Sequence, residues 1–213
     1  MAYPHAQRAL TSITALVLAT SSISAHAHHG MEGQLPNTFA QGLISGLAHP
    51  VIGLDHLAFI VAAACLIARF GATLRAGLCA AFVLASVLGT VVHLQSVDLP
   101  GSELLIALSV LAAGALVWSR RLAPSQLLWV ALPIAGLLHG YAYGESIVGA
   151  QTSVLTAYLL GFVLIQWGVM FGIACMLNKL EAPRFARAAL LSGALITIVG
   201  LWFSIDQTMG LLA

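Results

Sequence analysis

The chain has 213 residues, 60% of them hydrophobic and only 7% charged, with a formal net charge of +1. A soluble domain carries about 25% charged residues, so this much apolar surface cannot be hidden in one globular core, and lipid must be its solvent. No basic run supports nucleic acid as a partner, and the three cysteines, Cys65, Cys79 and Cys175, lie in apolar stretches without CxxC spacing, where they read as small buried residues.

The first segment has the layout of an export signal. Arg8 begins a weakly positive region, residues 9–19 are apolar, and Ala25-His26-Ala27 fits the small-x-small cleavage rule. The expected signal peptide is 1–27 and the expected mature chain 28–213; the alternative is an uncleaved first helix. After cleavage His28 would offer a free amine and an imidazole, followed by His29, either as a chelating terminus or as a solvated tail.

Six spans follow, at about 51–68, 76–94, 104–118, 127–143, 154–177 and 188–205, each near the roughly 20 residues that cross a bilayer. The expected fold is an all-α, polytopic transmembrane helical bundle forming a single domain. Residues 39–48 are mildly apolar and too short to span, which suggests an interfacial or re-entrant piece. Pro50 suits the first turn of the first span, where a missing N–H costs nothing.

Charge sets the orientation. Arg69 and Arg75 flank the first connection, Arg120 and Arg121 follow the third span, and Lys179, Arg184 and Arg187 follow the fifth. These alternate loops are cytoplasmic by the positive-inside rule. The expected location is therefore the bacterial inner membrane, with both mature termini periplasmic. Glu32, His49, Asp55, His56, His93, Asp98, Glu103, His139, Glu145 and Asp206 all fall on the outer side, and such a face concentrates cations. A plain outer surface, left acidic because bases stay inside, explains Asp98 and Asp206 but not residues within spans.

The first span holds the chemistry. An Asp in the middle of a transmembrane helix costs about 2.5–3.5 kcal/mol on insertion scales. His49, Asp55 and His56 nevertheless fall within eight residues of AHPVIGLDHLAF. Two imidazoles and a carboxylate are donors that a divalent transition metal accepts; the plainer alternative is a polar contact between helices. At 1.5 Å per residue, Asp55 and His56 lie about 7–9 Å below the outer end of their span, and His139 about 6–8 Å below its own. They can therefore meet at one level. On a continuous helix, His49 and His56 share a face.

The second motif is LLHGYAYGESIVGA. Gly140 and Gly144 permit close helix approach. Tyr141 and Tyr143 read as interfacial anchors, or as hydrogen-bond donors to a ligand side chain. Glu145 is either a solvated loop carboxylate or a ligand at the mouth. Glu103 opens the third span, where the helix dipole favours it; touching the ion path is the alternative. His93 reads as interfacial. Gln166 either lines the path or bridges helices. Trp167 and Met170 read as packing residues, Met170 with a soft sulfur to offer.

HPVIGLDHLAF resembles the HPxxGxDH signature of the HupE/UreJ membrane proteins, and LPGSELLIALSVL and LLHGYAYGESIVGA resemble two further segments of that family. The resemblance covers nearly the whole exported chain. It implies a six-helix secondary permease for nickel, in some branches cobalt, serving hydrogenase, urease or cobalamin synthesis. It carries His49, Asp55, His56, His139 and Glu145 over as metal-handling positions. The chain departs from some members at Tyr143 and Met170, where they hold histidine.

The expectation is thus secondary transport of a divalent cation, Ni²⁺ first and Co²⁺ next, by a protein that is not an enzyme. Its partners are membrane lipid and the transported metal ion, with a homo-oligomer possible. His28 and Glu103 complete the candidate metal residues. No GxxxxGK[ST] sequence is present to bind ATP, and no HExxH to hold a catalytic zinc. The alternatives are a membrane metal-binding accessory or sensor that passes no ion, and a membrane metalloenzyme.

Overall fold

The computed structural model describes residues 35–121 and 123–212; the expected signal peptide and His28 lie outside them. The described residues form seven helices: α1 Phe39–Ile52, α2 Leu54–Ile67, α3 Ala72–Leu94, α4 Ser102–Trp118, α5 Ser125–Glu145, α6 Thr152–Asn178 and α7 Ala182–Leu212. Helices α3, α5, α6 and α7 are long and apolar enough to cross a membrane. The α1–α2 pair qualifies as a fifth crossing when taken together, and α4 is a shorter apolar helix. Large apolar side chains such as Leu84, Leu164, Leu191, Leu195 and Ile198 remain exposed on the bundle surface, as a lipid-facing belt requires.

The first expected span is corrected. It is not continuous: α1 and α2 meet at Gly53 with a bend of 73°. Pro50 stands in the last turn of α1 rather than in the first turn of a span. There it removes a backbone donor from the helix interior, and Gly53 then adopts extended geometry, with φ −67° and ψ 107°. The mildly apolar stretch before Pro50 is itself helix. Its N-terminus is fixed by Thr38, whose hydroxyl accepts from the Gln41 backbone N–H, while the Gln41 side-chain oxygen Oε1 accepts from the Asn37 N–H.

Helix α2 is the hub. Ile60, Ala62, Ala63, Ala64 and Ile67 are all buried, and a helix buried on every side belongs at the centre. Three tightly packed pairs surround it: α1 with α6, α3 with α5, and α4 with α7. Glycine makes each pair possible. A Cβ at Gly136 or Gly140 of α5 would strike the α3 backbone at Phe82 or Ser86. One at Gly46 of α1 would strike α6 at Tyr158, and one at Gly193 of α7 would strike α4 at Trp118. Small residues substitute here for the hydrophobic drive that lipid removes. The hydroxyl of Thr90 on α3 also donates to the Gly140 carbonyl at 2.8 Å.

Candidate metal site

The elbow at Gly53 turns His49 of α1 toward the start of α2, which carries Asp55 and His56. His49 lies in the last turn of α1, and Asp55 and His56 lie in the first turn of α2. All three are buried. The Asp55 carboxylate accepts from the His56 backbone N–H at 2.8 Å, at a helix N-terminus where the dipole favours negative charge. Gly53 is required for this arrangement, since a Cβ there would come within 2.7 Å of the His56 ring. His49 and His56 do approach, with ring centroids 6.3 Å apart. The bend brings them together; they do not share the face of one continuous helix.

Helix α5 brings the partner. Its Gly136, Gly140 and Gly144 face α3. His139 and Tyr143 are four residues apart and so share the neighbouring face, which points at α2. His139 is fully buried, and its Nδ1 lies 2.7 Å from Nδ1 of His56. Phe59 packs on the His139 ring at 4.6 Å and stacks with Phe82 at 5.4 Å, making an apolar floor that excludes water.

The hydrogen bonds are satisfied by one choice of tautomers. Ser109 of α4 has one hydroxyl hydrogen, donated to the Ile106 carbonyl at 2.7 Å. With that hydrogen on the carbonyl, its oxygen is left to accept from His139 Nε2, 2.9 Å away. His139 thus carries its proton on Nε2 and presents an Nδ1 lone pair, which accepts from His56 Nδ1–H. A cation bound by both nitrogens at right angles, at about 2.1 Å each, would hold them about 3.0 Å apart. To bind a cation the pair would have to open by a few tenths of an ångström and both rings would have to turn so that their lone pairs converge off the N···N line, with the His56 proton moving to its other nitrogen.

A second polar group surrounds His49. The Ser146 hydroxyl lies 3.2 Å and the Tyr158 hydroxyl 3.3 Å from His49 Nδ1. Both hydroxyls also reach the Tyr143 carbonyl, at 3.0 and 3.2 Å. Tyr143 lies between the two groups, its ring 5.0 Å from that of His49 and 4.2 Å from that of His56. The expectation of an interfacial Tyr143 is therefore corrected: the side chain is fully buried inside the bundle. Tyr141 has a structural task, donating to the Val97 carbonyl at 2.7 Å and accepting from the Leu99 N–H at 2.9 Å.

The remaining candidates lie apart. Glu145 ends α5 and is exposed, and Glu103 is half-buried in the first turn of α4. Among the described residues, no three His, Cys, Asp or Glu side chains are grouped to hold a metal ion at once. Nitrogen donors instead come as the His56–His139 pair, with His49 beside it. Sequence reasoning missed Ser109, Ser146 and Tyr158. Each is a hydroxyl in or beside an apolar span, and only the packing of distant helices brings it to an imidazole.

The profile of the family described as HupE / UreJ protein matches residues 14–203 of the chain. Protein HupE from Rhizobium leguminosarum bv. viciae is 33% identical over 150 residues, which covers 70% of this chain and 73% of that relative. No solved structure matches. With a family match across most of its length and a relative of this identity and coverage, the chain belongs to the HupE/UreJ family.

Proposed function

We propose that this protein is a secondary permease that carries a divalent transition metal, Ni²⁺ first and Co²⁺ second, across the inner membrane into the cytoplasm. The observation that carries the reading is the buried His56–His139 pair, with nitrogens 2.7 Å apart at the break of a helix and beside the Asp55 carboxylate. Two imidazoles and a carboxylate are donors for a borderline divalent cation. A broken helix inside a bundle is where membrane transporters place their ions.

In this reading the mature chain follows a cleaved signal, both termini are periplasmic, and α4 makes a sixth crossing beside the α1–α2 pair. The ion is gathered at the acidic outer face by Glu145, Glu103 and the His28 terminus. His49 receives it first. Asp55, His56 and His139 then replace part of its water by closing around the ion, since the three side chains are not grouped for a metal beforehand, with Ser109 holding the His139 ring in the tautomer that offers Nδ1. A membrane potential supplies about 2.3 kcal/mol per charge per 100 mV, roughly twice that for a divalent ion.

One observation favours a second reading, a membrane binder that passes no ion. Beyond the pair, α2 continues as Phe59, Ile60, Ala62, Ala63 and Ala64, all buried and apolar. Metal accounting separates the two. Cells depleted of nickel and cobalt and given radioactive Ni²⁺ should accumulate many equivalents per protein, and His56→Ala should abolish this at equal membrane expression. Saturation near one equivalent would establish the binder instead.

A further inference from the structure

Helix α6 carries a buried line of residues spaced four apart, Tyr158, Phe162, Gln166, Met170 and Ala174, all fully buried. Tyr158 stands at His49. Phe162 packs on the Tyr143 ring at 4.8 Å. Gln166 lies two turns beyond Tyr158, about 12 Å further along the helix. Among the described residues, neither its amide oxygen nor its amide nitrogen has a hydrogen-bond partner, and the same holds for the Tyr143 hydroxyl. Two side chains that carry orphaned polar atoms thus flank Phe162: Tyr143, whose ring packs edge-on against it, and Gln166, one turn further along α6. An amide buried with both ends unpaired is costly, and packing gives no reason for it where a leucine would fit.

Resting on the transport reading above, we infer that Gln166 is a second cation station. Its carbonyl oxygen receives the partly dehydrated metal ion after the ion leaves the His56–His139 pair and passes Phe162. The two stations differ as a through-path requires. Conduction needs sites favourable enough to enter and weak enough to leave. The outer station offers imidazole nitrogen beside a carboxylate. Gln166 offers a neutral oxygen, a weaker donor for a borderline metal, so the ion is passed on. The apolar stretch of α2 opposite then marks the boundary between the stations.

The test uses the full chain in proteoliposomes, with Ni²⁺ alone as the probe. Gln166→Leu is expected to bind Ni²⁺ at equilibrium within about twofold of the parent but to lower its uptake rate by about tenfold or more. Gln166→Glu is expected to release bound Ni²⁺ more slowly than the parent, because an added charge deepens the second station. Uptake by Gln166→Leu within twofold of the parent would overturn the inference, as would a parallel loss of binding and uptake. Should Gln166→Leu fail to fold, Gln166→Glu decides, and an unchanged release rate overturns the proposal. A parent protein that binds Ni²⁺ yet accumulates none overturns the transport reading and this inference together. A transporting parent matched by Gln166→Leu overturns this inference alone.

Discussion

The two ends of the bundle treat their ionisable residues in opposite ways. At the basic end, Arg69 and Arg75 donate to backbone carbonyls at or just past helix ends. Arg69 donates to the Asn178 and Leu180 carbonyls at 3.4 and 3.2 Å, and its guanidinium lies 4.0 Å from the Phe185 ring centroid. Arg75 donates to the Ala68 carbonyl at 3.1 Å. These are C-terminal helix ends, where the dipole favours positive charge. At the other end, imidazoles pair with each other and with hydroxyls. A guanidinium held by backbone carbonyls is a fastening, with no lone pair to give. An imidazole nitrogen held by another imidazole nitrogen is a donor that a cation can recruit by displacing one proton.

Three substitutions test that difference. The largest effect is expected for His139→Ala, which removes one nitrogen of the pair: uptake from metal-limited medium should fall by about 100-fold or more, with the protein still in the membrane. Ser109→Ala leaves both imidazoles in place but frees the His139 tautomer. It should weaken Ni²⁺ affinity by about tenfold, measured by titration of the purified protein. Arg69→Ala should act on the fold alone. Losing one fastening worth about 1 kcal/mol lowers the melting temperature by about 2–4 °C in a chain of this size, with Ni²⁺ affinity unchanged. An affinity loss in Arg69→Ala comparable to that of Ser109→Ala would erase the distinction between the ends.

Much of this architecture is legible in the sequence because lipid punishes polar groups so heavily. Apolar runs locate the long helices, and the depths of His56 and His139 along their spans anticipate a meeting that the structure brings to 2.7 Å. Hydropathy is blind to direction, however. The apolar runs on either side of Gly53 read as parts of one span, and only Pro50 and Gly53 hinted at a 73° bend. Tyr143 fell at an expected interface by position alone. Its place four residues from His139, on the face beside Gly140 and Gly144, was the signal that turns it inward. Ser109, Ser146 and Tyr158 gave no comparable sign, because a hydroxyl in a span commonly bonds its own helix, as Ser86 does to the Phe82 carbonyl. Glu145 shows the converse. It belongs to the same motif as His139, yet it ends α5 exposed, because the helix face that carries His139 and Tyr143 inward carries position 145 out.

X-ray absorption at the nickel edge of the purified, Ni²⁺-loaded protein tests the central claim most directly, since it counts imidazole nitrogens around the metal. The account predicts at least two in the parent, one fewer in His139→Ala and one fewer in His56→Ala. An imidazole count unchanged in both variants would show that the metal is held elsewhere and that the buried pair is only a contact between helices.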